Sequence, residues 1–250
     1  MNRRQFLALL AASVPGTALG FGDASRVGVA ELDLGSGTLS RPNAWKRLLY
    51  DIRHTTSVET NTTVAQLAPD DPNLFEYPFA TIVGDGAFAM PHEAALEQLK
   101  RYLDYGGVLF IDDTTGAEKS PFDAAVRRLV LALFPNRPLS PLPADHSLYR
   151  AFFLIRRPQG RIDRFPFVEG VSVGNLAPLL YFRNDLSGAL DRDRSGRERP
   201  CVPGGERQRR EARKLGMNLV LYNITSNYKK DQAHVAELLK QGRLPAGFGE

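Results

Sequence analysis

The run Val108-Leu109-Phe110-Ile111, placed between Gly106-Gly107 and Asp112-Asp113, limits the fold of this chain more than any other segment. Successive strand residues point to opposite faces, so four apolar residues in a row make a strand that is apolar on both sides. Such a strand belongs at the centre of a largely parallel sheet covered by helices on each face. The sequence ahead of it fits that reading. Leu96, Leu99, Tyr102 and Leu103 form an apolar stripe at helical spacing, with Pro91 near its start and Gly106-Gly107 as its stop.

The rest of the first half repeats the alternation. Residues 26–32 and 58–64 are β-prone, and Trp45, Leu48, Leu49 and Ile52 give a helix after Pro42. Phe79-Ala80-Thr81-Ile82-Val83 reads as a strand, and residues 122–134 read as a helix burying Val126, Leu129, Val130 and Leu133. This order predicts an open α/β sheet. After Pro135 the pattern is looser. Residues 152–155 and 179–182 read as strands, 184–205 as a mobile basic loop, 206–222 as a helix and 234–239 as a short terminal helix.

The first residues have a different character. Arg3-Arg4-Gln5-Phe6-Leu7 puts two arginines before an apolar run that ends at Leu19, followed by Gly20. That run is shorter than the roughly 20 apolar residues a membrane span requires. It reads as a signal peptide of the twin-arginine type over residues 1–24, cut at about 20–24. The expected organisation is then one α/β domain over 25–228 and a helical tail over 229–250, with periplasmic location and no stable membrane span after cleavage.

Charge and cysteine counts narrow the function classes. Of the net charge of +4, Arg3 and Arg4 carry two, and residues 183–214 hold ten basic against six acidic side chains. The remainder is slightly acidic, so no basic face for nucleic acid is expected. A single Cys excludes an intramolecular disulfide and a Cys-based structural zinc site. No metal or cofactor is expected either. His92-Glu93 lacks the second His of H-E-x-x-H, since position 96 is Leu, and no P-loop string occurs.

Two partial motifs read as backbone features. Gly35-Ser36-Gly37 follows a strand but lacks the third glycine of a dinucleotide fingerprint. Gly170-Val171-Ser172-Val173-Gly174 matches G-x-S-x-G, yet Pro178 blocks the helix that a nucleophile elbow needs directly after its serine. Cys201, between Pro200 and Pro203 in the basic loop, has no strand leading into it. The remaining candidates for chemistry are strand-end and loop polar groups: Asp85, Asp112, Asp113, His146 and Asp185. Asp112 and Asp113 are adjacent and should face opposite sides of the sheet. One would look into the carboxyl-end crevice and the other would cap the next loop.

Several stretches together resemble a known family. They are Asp71-Pro72-Asn73-Leu74-Phe75-Glu76-Tyr77-Pro78-Phe79, residues 99–113, Leu142-Pro143-Ala144-Asp145-His146, Asn184-Asp185-Leu186 and Leu215-Gly216-Met217-Asn218. The set is similar to the bacterial family catalogued as domain of unknown function 4159, over about residues 26–226. The resemblance implies a three-layer, flavodoxin-like or class I glutamine-amidotransferase-like sandwich with a mostly parallel sheet. It does not imply amidotransferase activity. Those enzymes place a Cys after the strand matching residues 108–111, where this chain has Asp112-Asp113-Thr114. Gly84-Asp85-Gly86 also departs from the family's G-H-G, and Ser187-Gly188-Ala189-Leu190-Asp191 departs from its G-x-G-W-E.

Two functional expectations follow. The first is a periplasmic domain that binds a ligand or a protein partner. The second is a hydrolase using the strand-end Asp and His groups. Export is directly testable. Changing Arg3 and Arg4 to Lys should hold the precursor in the cytoplasm, as read by cell fractionation. Unchanged periplasmic accumulation would remove the signal reading.

Overall fold

The computed structural model describes residues 26–240 except Asn175 and Arg194, with side chains up to Thr225. The expected signal segment and residues 241–250 lie outside the described residues. The elements are β1 Val27–Leu32, β2 Thr38–Leu39, α1 Pro42–Thr55, β3 Thr60–Leu67, β4 Phe79–Gly84, α2 Glu93–Asp104 and β5 Val108–Asp113. There follow α3 Pro121–Leu133, β6 Ser140–Pro141, β7 Glu169–Val173, β8 Leu176–Phe182, α4 Leu186–Leu190 and α5 Gly205–Lys240. Short 3-10 turns cover Pro72–Glu76 and Ser147–Arg150.

The strands form one eight-stranded sheet in the order β3-β1-β4-β5-β8-β7-β6, with β2 added on β4. β3, β1, β4, β5 and β8 are mutually parallel, while β7 and β6 continue the sheet antiparallel. β5 lies in the middle, paired to β4 and β8. All six of its residues are buried. Val108 and Phe110 pack with Trp45, Leu48 and Ile52 of α1, Leu186 of α4 and Leu215 of α5. Leu109 and Ile111 pack with Leu99 and Tyr102 of α2 and with Val126 and Leu129 of α3. The chain is thus a mixed α/β protein with a mostly parallel sheet flanked by helices on both faces, the arrangement that four consecutive apolar residues require.

Local signals set the helix ends. Pro42 sits in the first turn of α1, where its missing N–H costs nothing. His92 Nδ1 accepts from Ala95 N to cap α2, and Ser120 Oγ accepts from Asp123 N to cap α3. The edges of these elements fall within a few residues of the sequence reading.

The second half corrects several expectations. Residues 152–155 are not a strand; Phe152 and Leu154 are exposed and only Ile155 is buried. Residues 184–205 are not a loose loop from end to end. Residues 184–191 are buried and contain α4, and Cys201 is also buried. Composition alone hid this, because the polar groups there are satisfied internally. α5 runs as a single helix through Lys240, so the boundary expected at 228 falls inside a helix.

Gly170–Gly174 spans the end of β7 and the turn into β8, with Ser172 exposed. Its carbonyl accepts from Arg137 Nη1 at 3.1 Å, and no helix follows it. The loop around Gly35-Ser36-Gly37 turns back so that β2 pairs antiparallel with the end of β4. Gly37 has φ +90°, and a Cβ there would stand 2.2 Å from the Ala87 carbonyl oxygen. That glycine is therefore required by its positive φ and by close backbone packing.

Candidate functional site

In parallel α/β sheets the carboxyl ends of the strands are where ligands bind. In this chain those ends carry a set of buried polar side chains. Asp112 leaves β5 toward α1, α4 and α5. Its Oδ1 accepts the Leu186 N–H at 2.8 Å, and its Oδ2 accepts the Ser187 N–H at 2.7 Å. Asp185 precedes α4 in a left-handed conformation, φ 55°, and its Oδ1 accepts the Gly188 N–H at 3.0 Å. Asp tolerates that conformation better than most residues because its short side chain bonds locally. Two carboxylates thus cap one five-residue helix. Gly188 is needed there, since a Cβ would lie 2.2 Å from the Asp185 carboxylate.

Two arginines balance this charge. Arg41, directly before α1, donates through Nη1 to Asp185 Oδ1, and to Ser187 Oγ at 3.2 Å. Arg161 donates through Nε to Asp185 Oδ2. The backbone of the 160–165 segment joins in, with Arg161 N–H donating to the Asp185 carbonyl and Ile162 N–H to the Asn184 carbonyl, both at 3.0 Å. Burial pushes the Asp112 carboxyl up to about 7, and the neighbouring Asp185 charge adds to that; the Ser187 and Leu186 contacts oppose it.

Asp113 faces the other side, as adjacent strand residues must. Its Oδ1 accepts Thr115 N–H at 2.8 Å, capping the following loop, and its Oδ2 accepts from Ser120 Oγ at 3.0 Å. Tyr181 Oη lies 3.1 Å from Asp113 Oδ2 and 3.1 Å from Asp123 Oδ1. Burial, then Asp113 and Asp123, raise the Tyr181 hydroxyl well above its ordinary value. Arg127 donates to Asp123 and Glu169, and Arg183 stacks on Phe165 at 4.1 Å while donating to the Ala117 and Glu118 carbonyls. At the end of β1, Glu31 accepts from Ser40 Oγ at 3.0 Å, Arg41 N at 2.9 Å and Gln66 Nε2. Burial raises its carboxyl, and those contacts offset part of the rise. A cavity of about 250 Å³ opens beside it, lined by Glu31, Asp33, Thr38, Ser40 and Gln66.

The five expected site residues therefore separate. Asp112 and Asp185 meet on one face and Asp113 lies behind them on the other. Asp85 is exposed at the end of β4, its side chain in neither network. His146 lies toward the amino end of β8, away from the strand-end acids. It caps the Ser147–Arg150 turn through Nδ1 and lies tilted against Tyr222 (ring centroids 5.5 Å apart), whose hydroxyl accepts the Ala177 N–H at the start of β8. Burial lowers the His146 pKa. A crevice containing His146 with the strand-end acids is thus a misplacement: residue 146 lies in the connection before β7, and its ring partner Tyr222 bonds the start of β8.

The sequence reading missed Glu31, Arg41, Arg161, Tyr181 and Ser120. Glu31 carried a usable signal, an acid inside the apolar strand Val27–Leu32. Arg161 carried none, because its partner is 24 residues away. Among the described residues, no group of three His, Cys, Asp or Glu side chains is placed to hold a metal ion. Among them, too, no helix is long and apolar enough to cross a membrane.

Fold and site together define an α/β protein whose strand-end acids are locked into its own backbone. The chain belongs to the family described as domain of unknown function (DUF4159), whose model matches residues 28–224. No curated protein matches it.

The raised Asp112 pKa gives a pH test. The folded chain keeps this proton up to about pH 7, whereas an unfolded Asp releases it near its ordinary 3.8. Its contribution to stability is full below about pH 4 and is lost as pH rises through about 7. Urea unfolding across that window should show stability of the natural chain falling relative to Asp112→Asn. Parallel pH profiles for the two proteins would contradict the assignment.

Proposed function

We propose that the chain is an exported, non-catalytic binding domain with the flavodoxin-like or class I glutamine-amidotransferase-like architecture. The strand order supports that architecture. With the two-residue β2 set aside, the five parallel strands run β3-β1-β4-β5-β8, the 2-1-3-4-5 order of flavodoxin-like sheets. The Arg3-Arg4 segment and its short apolar run support export to the periplasm by the twin-arginine route.

One observation carries the binding reading. Asp112, Asp113 and Asp185 are each fully buried, and every carboxylate oxygen among them accepts a donor from the protein itself. A general acid or base must reach a substrate proton at hydrogen-bond distance. These groups instead cap α4 and the loop after β5. Where the amidotransferase resemblance would put a Cys, after residues 108–111, this chain has Asp112-Asp113-Thr114, and the Asp112 side chain is committed to the Leu186 and Ser187 amides. Cys201 lies in the connection before α5, with its thiol pushed up by burial, which disfavours the thiolate.

The hydrolase reading has one observation in its favour, the Asp112 carboxyl near neutrality beside Asp185, a combination also found in acid–base sites. A turnover panel of carboxyl esters, phosphoesters, amides and glycosides decides between the two. The binding reading expects no turnover above the blank for the natural chain. Turnover that Asp112→Asn abolishes while the variant stays folded would establish the enzyme instead.

A further inference from the structure

A second cavity, of about 480 Å³, lies between residues 154–159 and the first turns of α5, away from the strand-end acids. Its walls include Leu154, Arg156, Arg157, Gln159, Arg207 and Glu211. Its floor is rigid. Gln208, only 1% exposed, donates through Nε2 to the carbonyls of Gly160 at 2.7 Å, Arg161 at 2.9 Å and Val202 at 3.0 Å. Its Oε1 accepts the Gly204 N–H at 2.8 Å. One α5 side chain thus ties the backbone at 160–161 and at 202 to the helix.

The charges on the walls are unequally matched. Arg157 is paired with Asp163 at 2.9 Å, and Glu211 with Lys214 at 2.8 Å. Among the described residues, the side chains of Arg156 and Arg207 have neither an ion pair nor a hydrogen bond. The cavity therefore presents two uncompensated guanidiniums over a fixed polar floor. Its volume is in the range of small-molecule sites, roughly 300–1,000 Å³.

Guanidinium groups bind phosphate oxygens in bidentate fashion, and a phosphomonoester carries about −1.5 to −2 charges at pH 7. Two free arginines match that charge. Leu154, 70% exposed at the cavity wall, supplies apolar surface for the organic part. We propose that this cavity is a binding site for a phosphomonoester group, held by Arg156 and Arg207. The assignment rests on the binding reading and names its ligand class.

Calorimetric titration of the chain tests it. The probes are inorganic phosphate and phenyl phosphate, with chloride and succinate at equal ionic strength as controls. Phosphatidylcholine vesicles with and without phosphatidic acid form a separate arm. Saturable binding of the phosphate probes is expected, weakened about tenfold or more in the Arg156→Ala/Arg207→Ala double variant, the scale of a lost charge-assisted hydrogen bond. Arg128→Ala, on the opposite face of the sheet, should bind as the natural chain does. Preference for phosphatidic acid vesicles would place the phosphate on a lipid headgroup, and binding of the soluble probes alone would place it on a free metabolite; both support the site. No phosphate binding at millimolar concentration, equal binding of succinate, or unchanged binding in the folded double variant would overturn it. Turnover in the hydrolase panel with phosphate binding intact would remove the binding-only reading and leave this site standing.

Discussion

The carboxylate of Asp185, shared between Arg41 and Arg161, is the interaction on which the upper half of the molecule depends. It joins three segments distant in sequence: the entry to α1, the 160–165 strip and the turn from β8 into α4. A buried charge is costly unless paired and hydrogen-bonded, and breaking such a pair typically costs about 3–5 kcal/mol. Here both oxygens are paired with guanidiniums, and one also caps Gly188. Burial, then the Asp185 charge, raise the neighbouring Asp112 carboxyl, which favours its protonated form beside that carboxylate. The same economy recurs at β1, where Glu31 holds the Arg41 N–H at the start of α1.

This arrangement shows how residue types suited to catalysis at strand ends can serve the fold instead. Asp, Ser and Arg at strand ends are the residue types an active site uses. They are also the types that cap helices and tie loops. The difference lies in where their donors and acceptors go, which only the fold decides. In this chain they go inward.

The parallel core was legible because its signal is local. Val108–Ile111, Trp45–Ile52 and Leu96–Leu103 each specify an element by periodicity, and their burial follows. The opposite facing of Asp112 and Asp113 was legible for the same reason. Residues 184–191 were not, because their order comes from partners at 41, 112 and 161 rather than from an apolar stripe. His146 was misplaced because proximity in sequence to polar neighbours says nothing about which end of the sheet a long connection visits.

In the strand-end cluster, Asp112 and Asp185 act as a structural lock on α4. Native-state hydrogen exchange at the Leu186 and Ser187 amides, the two donors to Asp112, tests it most directly. A lock predicts that both amides exchange only on global unfolding, with the same opening free energy as the β5 amides of Phe110 and Ile111. Exchange through local opening, at free energies well below those of β5, would mean that the crevice is accessible to substrate and would contradict the claim.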